Sequence, residues 1–515
     1  MPRPPATACR SWLIALLALL PAVSARAELP AALARQLAEL GVPSDAVGLV
    51  VAPVAPGPRF LAHQAERPLQ PGSTMKLVTT LVGLEQLGPA WRGHTRLLAG
   101  GPVIGGVLHG DLILQGQGDM DLDAAALRAL LQRARHRGLA EVRGALVLDR
   151  SAFQPTRTDL GVPPFDEAPE FAYNLIPDAL LVNQNLLRVD LFVDERGLQV
   201  QPLTRLAGVR VTHEMQLVDG DCSTWDEGWQ PPRVKPPGPG RQMDVVLRGT
   251  WPVRCERTLA LNVIGRNDYV GRLLRQLWAE LGGRWRGPVR EGVAPADAAV
   301  LAERSSRPLS ELVRAINKPS DNAFTRTLYL AIGRAAPGDA TEPTLQRAER
   351  AVRSWLRSRG IADEGLVLDN GSGLSRSERL TPAQLEAVIR AGLASRWAPE
   401  FVASLPIAGV DGTLRRRLTD SAAAGQARLK TGTLKNVVSL AGTMSDAAGQ
   451  PLVVVAIFNH DHVKPRALRP LADALVDWIA QQRFARGSVD TAGKDPDPGF
   501  PVGIAPPWGD RPGGP

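Results

Sequence analysis

The chain has 515 residues, 44% of them hydrophobic, which suits a globular protein of two to four domains with sizeable cores. Its net charge of +8 sits mostly on arginine. No cluster of basic and aromatic residues accompanies that charge, which argues against a nucleic-acid binder, while affinity for an anionic polymer and a merely solvated surface both stay open.

In chain order, residues 1–27 read as a cleavable export signal. Arg3 and Arg10 give a basic start, Trp12 to Val23 an apolar run, and Ala25-Arg26-Ala27 a small-x-small cleavage site. An uncleaved anchor is the alternative, although the apolar run is short for a spanning helix. Cys9 precedes that run, where a lipid-modified cysteine would not stand. Cys222 and Cys255 are then the cysteines of the exported chain. An even number in an oxidising compartment favours a disulfide over two buried thiols, and no metal-ligand spacing is present.

Leu29 to Leu40 has helical apolar spacing, Ala46 to Val54 reads as a strand, and Arg59 to Ala62 as its hairpin partner. Pro71-Gly72-Ser73-Thr74-Met75-Lys76 then opens an apolar helix starting near Ser73. Serine and lysine three apart on a helix share a face, so hydroxyl and ammonium can meet. A serine needs a base to take its proton, and a lysine buried beside other cations loses pKa and becomes one. The helix N-terminus favours the alkoxide.

From about Thr95 the texture becomes β-rich. Val103 to Leu114 alternates, and the glycine-punctuated Gly110 to Asp119 reads as turn chemistry, since no G-K-S/T follows to make a phosphate loop. Asp121 to Arg137 reads as a helix, Ala145 to Leu148 as a strand, and Pro155 to Pro177 as a turn-rich connection. Short strands are expected at 186–193, 197–203, 209–211, 243–247 and 259–263, with Pro231 to Gly240 as an exposed loop. Helical spacing returns at 273–281 and 309–316. Ser320-Asp321-Asn322 falls in a short break before a helix over 323–332. Helices over 345–359 and 382–392 flank the polar turn Asp369 to Arg376. Strands at 427–433, 439–444 and 452–458 follow, then a closing helix over 467–481. His460 and His462 have no third ligand nearby and read as surface residues. These elements predict an α+β sandwich made of residues 28–94 and 293–486. A β-rich insert of one or two domains spans 95–292, and a disordered Pro/Gly-rich tail spans 487–515.

Alone, S-x-x-K is weak. Followed in order by Ser320-Asp321-Asn322 and Lys430-Thr431-Gly432, it points to acyl transfer by a serine nucleophile. The chain resembles the class C, low-molecular-mass penicillin-binding proteins, D-alanyl-D-alanine carboxypeptidase/endopeptidases of the S13 type. Besides the three motifs, the resemblance rests on Gly110-Asp111-Leu112 through Gly118-Asp119, Asn317-Lys318-Pro319, Asp369-Asn370-Gly371-Ser372-Gly373-Leu374-Ser375-Arg376, Leu405-Pro406 through Gly412-Thr413-Leu414, and the long insert. It departs at Met120, where proline is common, and fades between Pro155 and Leu281.

The resemblance implies a serine β-lactamase/DD-transpeptidase-like domain without cofactor or metal. It implies peptidoglycan stem peptides as substrates and β-lactam antibiotics as inhibitors, while the export signal implies a periplasmic location and leaves a loose membrane association open. Ser73 would be the acyl-ester nucleophile, Lys76 its base, and Ser320 a proton relay in reach of both Lys76 and Lys430. Asn322 would hold the substrate amide, and Lys430 and Thr431 its terminal carboxylate. Gly432 would leave room for the peptide along the strand, and the amides of Ser73 and Thr433 would form the oxyanion hole. Arg376 would meet the carboxylate of a diaminopimelate side chain, or else close a turn. A class A β-lactamase shares the motifs but lacks the length and the insert. A non-hydrolytic penicillin- or cell-wall-binding protein would lack one of the catalytic residues, all of which are present.

Overall fold

A computed structural model describes residues 29–235, 242–339 and 341–484; the expected export signal and the tail from 487 lie outside them. Its centre is a five-stranded antiparallel sheet in the order Arg428–Leu434, Val437–Ser445, Pro451–Asn459, Val47–Pro53, Leu61–His63. The near-continuous apolar run Leu452 to Phe458 is buried throughout, as a strand covered on both faces must be. Because side chains alternate across a strand, Val453, Val455 and Ile457 join one core with Leu77, Val78 and Leu81. Leu452, Val454, Ala456 and Phe458 join a second core with Leu33, Leu37, Leu471 and Leu475. The result is helix, sheet, helix in three layers.

The helix Lys76–Leu87 lies inside this sandwich. Every residue from Lys76 to Leu84 is buried, which explains why its sequence shows no polar face. The α+β sandwich expected from the sequence is therefore present, with strands and helices close to their expected bounds.

The inserted sheets begin at His94–Gly100. That strand pairs antiparallel with Asp111–Gln117 on one side and Ala299–Ser305 on the other. Two expectations are corrected here. The glycine-punctuated Gly110–Asp119 stretch is mostly a strand, and its glycines admit close neighbours: a Cβ on Gly116 would lie 2.2 Å from the Ala179 carbonyl oxygen. Residues 299–305, placed by sequence with the catalytic segment, complete the inserted sheet instead. Where this sheet joins the rest, the two crossing strands touch. The Gly93 N–H donates to Ser306 Oγ (3.0 Å), and the Ser306 N–H donates to the Gly93 carbonyl (2.8 Å).

A third correction concerns Pro231. Residues 231–235 of the expected loop lie on the strand Trp229–Lys235, which pairs antiparallel with Met243–Pro252, while 236–240 lie outside the described residues. The strand tolerates Pro231 and Pro232 because they sit at the register shift between Gln230 and Arg233. Cys222 and Cys255 are disulfide-bonded beside this sheet, with Cα atoms 4.8 Å apart. Among the described residues no helix is long and apolar enough to cross a membrane, and no cluster of potential metal ligands occurs.

Candidate active site

Ser73 sits in a 3₁₀ turn, Gly72–Met75, that feeds the buried helix; the helix proper starts at Lys76. Lys76 is fully buried, and its Nζ has three partners: Ser73 Oγ at 3.0 Å, Asn322 Oδ1 at 2.6 Å and the Ser372 carbonyl at 2.6 Å. Two of these atoms only accept. They take two N–H groups, so in the neutral amine the remaining tetrahedral position, the lone pair, faces the Ser73 hydroxyl. Burial lowers the Lys76 pKa to about 7, even though Asp321 and Glu378 act in the opposite direction.

Ser320 and Asn322 reach the site because the chain breaks between the helices Leu309–Asn317 and Asn322–Ala335. Ser320 takes a left-handed conformation (φ 66°), rare for a residue with a Cβ, and Asp321 caps the second helix by accepting the Phe324 N–H at 2.8 Å. Lys430, also fully buried, donates to Ser320 Oγ at 2.9 Å and to the Thr431 carbonyl at 2.8 Å. Burial and the neighbouring Lys76 push its pKa well down.

Lys430, Thr431 and Gly432 lie on the strand expected there, which forms an edge of the central sheet. A Cβ on Gly432 would lie 2.8 Å from Ser73 N, and one on Gly72 would lie 3.6 Å from Thr433 N. The two amides expected to hold an oxyanion thus stand at one contact between turn and strand.

The site departs from expectation in three places. Ser320 is hydrogen-bonded to Lys430 and not to Lys76, whose third acceptor is the Ser372 carbonyl. Asn322 has both ends of its amide engaged, Oδ1 by Lys76 and Nδ2 by the Tyr173 carbonyl at 2.9 Å. Gly432 is small because the nucleophile turn packs on it: its Cβ would also meet Ser439 Oγ at 2.2 Å and the Pro71 carbonyl at 2.9 Å.

Arg376 stands apart from the two lysines. It is exposed, donates to the Phe165 carbonyl at 2.7 Å and lies 5.0 Å over the Phe165 ring. It borders a cleft of about 790 Å³ between the 157–177 connection and the 369–377 turn.

Sequence reasoning missed three groups at the site. One is Thr413, whose hydroxyl lies 2.7 Å from that of Thr431. The others are the carbonyls of Ser372 and Tyr173. Backbone acceptors carry no side-chain signal, although Ser372 and Thr413 both lie in stretches already marked by their glycines.

Residues 29–482 match the D-Ala-D-Ala carboxypeptidase 3 (S13) family. The chain belongs to the S13 family. Among curated S13-like relatives, the D-alanyl-D-alanine carboxypeptidase of Actinomadura sp. is 30% identical over 87% of this chain and 85% of its own. The D-alanyl-D-alanine carboxypeptidase DacB of Haemophilus influenzae is 27% identical over 75% of this chain and 80% of its own. The crystal structure of penicillin binding protein 4 (dacB) from Haemophilus influenzae shares the fold, with a TM-score of 0.70 at 24% identity. That likeness covers 85% of this chain and 96% of the other. This S13 chain thus has the penicillin-binding fold the sequence led us to expect.

Proposed function

We propose that the chain is a serine D-Ala-D-Ala carboxypeptidase that cleaves peptidoglycan stem peptides through an acyl-enzyme on Ser73. Membership of the S13 family supports the reaction class. The observation that carries the mechanism is the Lys76 amine, held by two acceptors so that its lone pair faces Ser73 Oγ.

In this reading Lys76 takes the Ser73 proton as Oγ bonds to the carbonyl carbon between two D-alanines. The amides of Ser73 and Thr433 hold the oxyanion, each donor contributing about 3–4 kcal/mol. As the C–N bond breaks, Ser320 protonates the leaving nitrogen and is re-protonated by Lys430, which its 2.9 Å contact favours. Water then attacks the ester. Its proton returns through Ser320 to Lys430, and Lys76 returns the first proton to Ser73. Lys430 and Thr431 bind the terminal carboxylate, and Asn322 fixes Lys76, turning to the substrate amide only if it releases the Tyr173 carbonyl. Arg376, exposed on the cleft rim, receives an anionic stem-peptide side chain. Cleavage of cross-linked peptides as an endopeptidase, acylation by β-lactams and action in the periplasm belong to the same reading.

The test is labelling of the purified protein with fluorescent penicillin beside Ser73→Ala. A stable adduct lost in the variant, with D-alanine released from a D-Ala-D-Ala peptide by the wild type alone, is expected. Labelling absent from both, or unchanged in the variant, refutes the acyl-enzyme. Rapid release of opened penicillin supports a β-lactamase instead.

A further inference from the structure

Glu378 has no part in the chemistry described so far, yet it is a fully buried acid whose charge acts on Lys76. Its side chain is 0% exposed, and among the described residues no cation forms a salt bridge with it. A carboxylate in that position is costly unless something else satisfies it. Its Oε1 accepts the N–H groups of Gly371 at 2.8 Å, Asn370 at 3.1 Å and Asp369 at 3.4 Å. These three amides precede Ser372, whose carbonyl is one of the two acceptors that orient the Lys76 amine. The turn cannot shift freely to relieve the carboxylate. A Cβ on Gly371 would meet the Tyr329 ring at 2.6 Å and Thr79 Oγ1 at 2.7 Å, and one on Gly373 would meet the Gly72 carbonyl oxygen at 1.8 Å. The turn is wedged between the nucleophile and the helix Asn322–Ala335, and Glu378 gathers its backbone amides.

We propose that Glu378 is a positioning residue for the Lys76 base, gathering the 369–371 amides so that the Ser372 carbonyl is aimed at Nζ. The inference rests on the acyl-enzyme reading above and adds a residue to it. Glu378 also acts on Lys76 through space, its negative charge favouring the ammonium form. The other charged or titratable groups around the pair are Lys430 on the edge strand, Asp321 at the cap of the helix Asn322–Ala335, Arg326 and Tyr329 on that helix, and Asp369 in the turn, with Glu349 and Arg353 acting on Tyr329. Burial first, then Asp369, push Glu378 itself up to about 7.

The sign of the expected effect follows. Lys76 acts as a base only when neutral, so acylation rises with pH through its pKa. Removing the Glu378 charge removes an attraction that favours the ammonium, so the acidic limb moves to lower pH. Glu378→Gln keeps an oxygen for the three amides and places its NH₂ where Oε2 has no protein partner among the described residues. Glu378→Ala removes the anchor altogether.

The experiment measures the second-order rate of acylation by fluorescent penicillin from pH 5.5 to 9 for wild type and both variants, with melting curves to check folding. Glu378→Gln is expected to stay within about threefold of wild type at high pH, with its acidic limb about half a unit or more lower. Glu378→Ala is expected to lose about tenfold or more even at pH 9, where charge no longer matters. A purely structural role would lower the melting temperature without moving the limb. A limb unmoved in folded Glu378→Gln, or a folded Glu378→Ala acylating like wild type at pH 9, overturns the proposal. If Glu378→Ala does not fold, the Gln limb alone decides. If the wild type is not labelled at all, the acyl-enzyme reading has failed and this inference falls with it.

Discussion

Gly432→Ala is the most direct probe of how the sheet holds the nucleophile. The added Cβ would stand 2.8 Å from Ser73 N, 2.9 Å from the Pro71 carbonyl oxygen and 2.2 Å from Ser439 Oγ. Ordinary contact is roughly 3.5 Å, so the first two atoms must move by about 0.7 Å. Ser439 must leave its rotamer and give up its 2.7 Å bond to the Pro71 carbonyl. Both backbone atoms belong to the turn that carries Ser73 Oγ. A displacement approaching 1 Å at a reacting group costs on the order of 100-fold in rate. We expect a 10- to 100-fold slower acylation by fluorescent penicillin, with overpacking that lowers stability by about 1–3 kcal/mol. Adding Ser439→Ala removes the closest clash but leaves both backbone contacts, so the rate should stay low. Wild-type acylation in a folded Gly432→Ala protein would refute the claim that this glycine serves the nucleophile turn.

Thr413→Val removes the hydroxyl 2.7 Å from Thr431 Oγ1. Losing one neutral hydrogen bond, about 0.5–1.5 kcal/mol, should raise KM for a peptide ending in D-Ala-D-Ala by about 2- to 10-fold with kcat nearly unchanged. A fall in kcat at constant KM would contradict a carboxylate-binding role for Thr431. Replacing Cys222 and Cys255 together by serine opens a cross-link spanning 33 residues, which chain entropy values at about 3–4 kcal/mol. The melting temperature should drop while penicillin labelling persists; lost labelling in a folded variant would tie the inserted sheet to the chemistry.

The sequence made some of this plain and hid the rest for physical reasons. Ser73 and Lys76 are three apart across a 3₁₀ turn that runs into the helix, so their meeting is local geometry. Lys430 was legible as part of a triplet on an apolar strand, and the folded sheet places that strand at its edge. That Asn322 and the Ser372 carbonyl would share Lys76 was not legible, because those contacts join segments 246 and 296 residues away. Spacing along a chain says nothing about such distances. The proline-bearing strand Trp229–Lys235 was misread because proline opposes a ladder everywhere except at edges and bulges, and only the folded sheet shows that it is both. Gly432 was recognised as necessary for a peptide, but its packing against the nucleophile turn was not foreseen. A glycine announces that something comes close without saying what.

The short stem formed by Gly93 and Ser306 has an evolutionary consequence. Because the chain leaves and returns at one point, strands far from that point can be lengthened, trimmed or exchanged without re-threading the catalytic sheet. The segment 172–185 is not free in the same way. Tyr173 lends its carbonyl to Asn322, Leu175 lends its own to Arg326 at 3.0 Å, and Gln184 donates to Asp321 at 2.9 Å. Divergence should therefore run fast across the outer strands and slowly along these few residues, so that one insertion carries two mutational clocks.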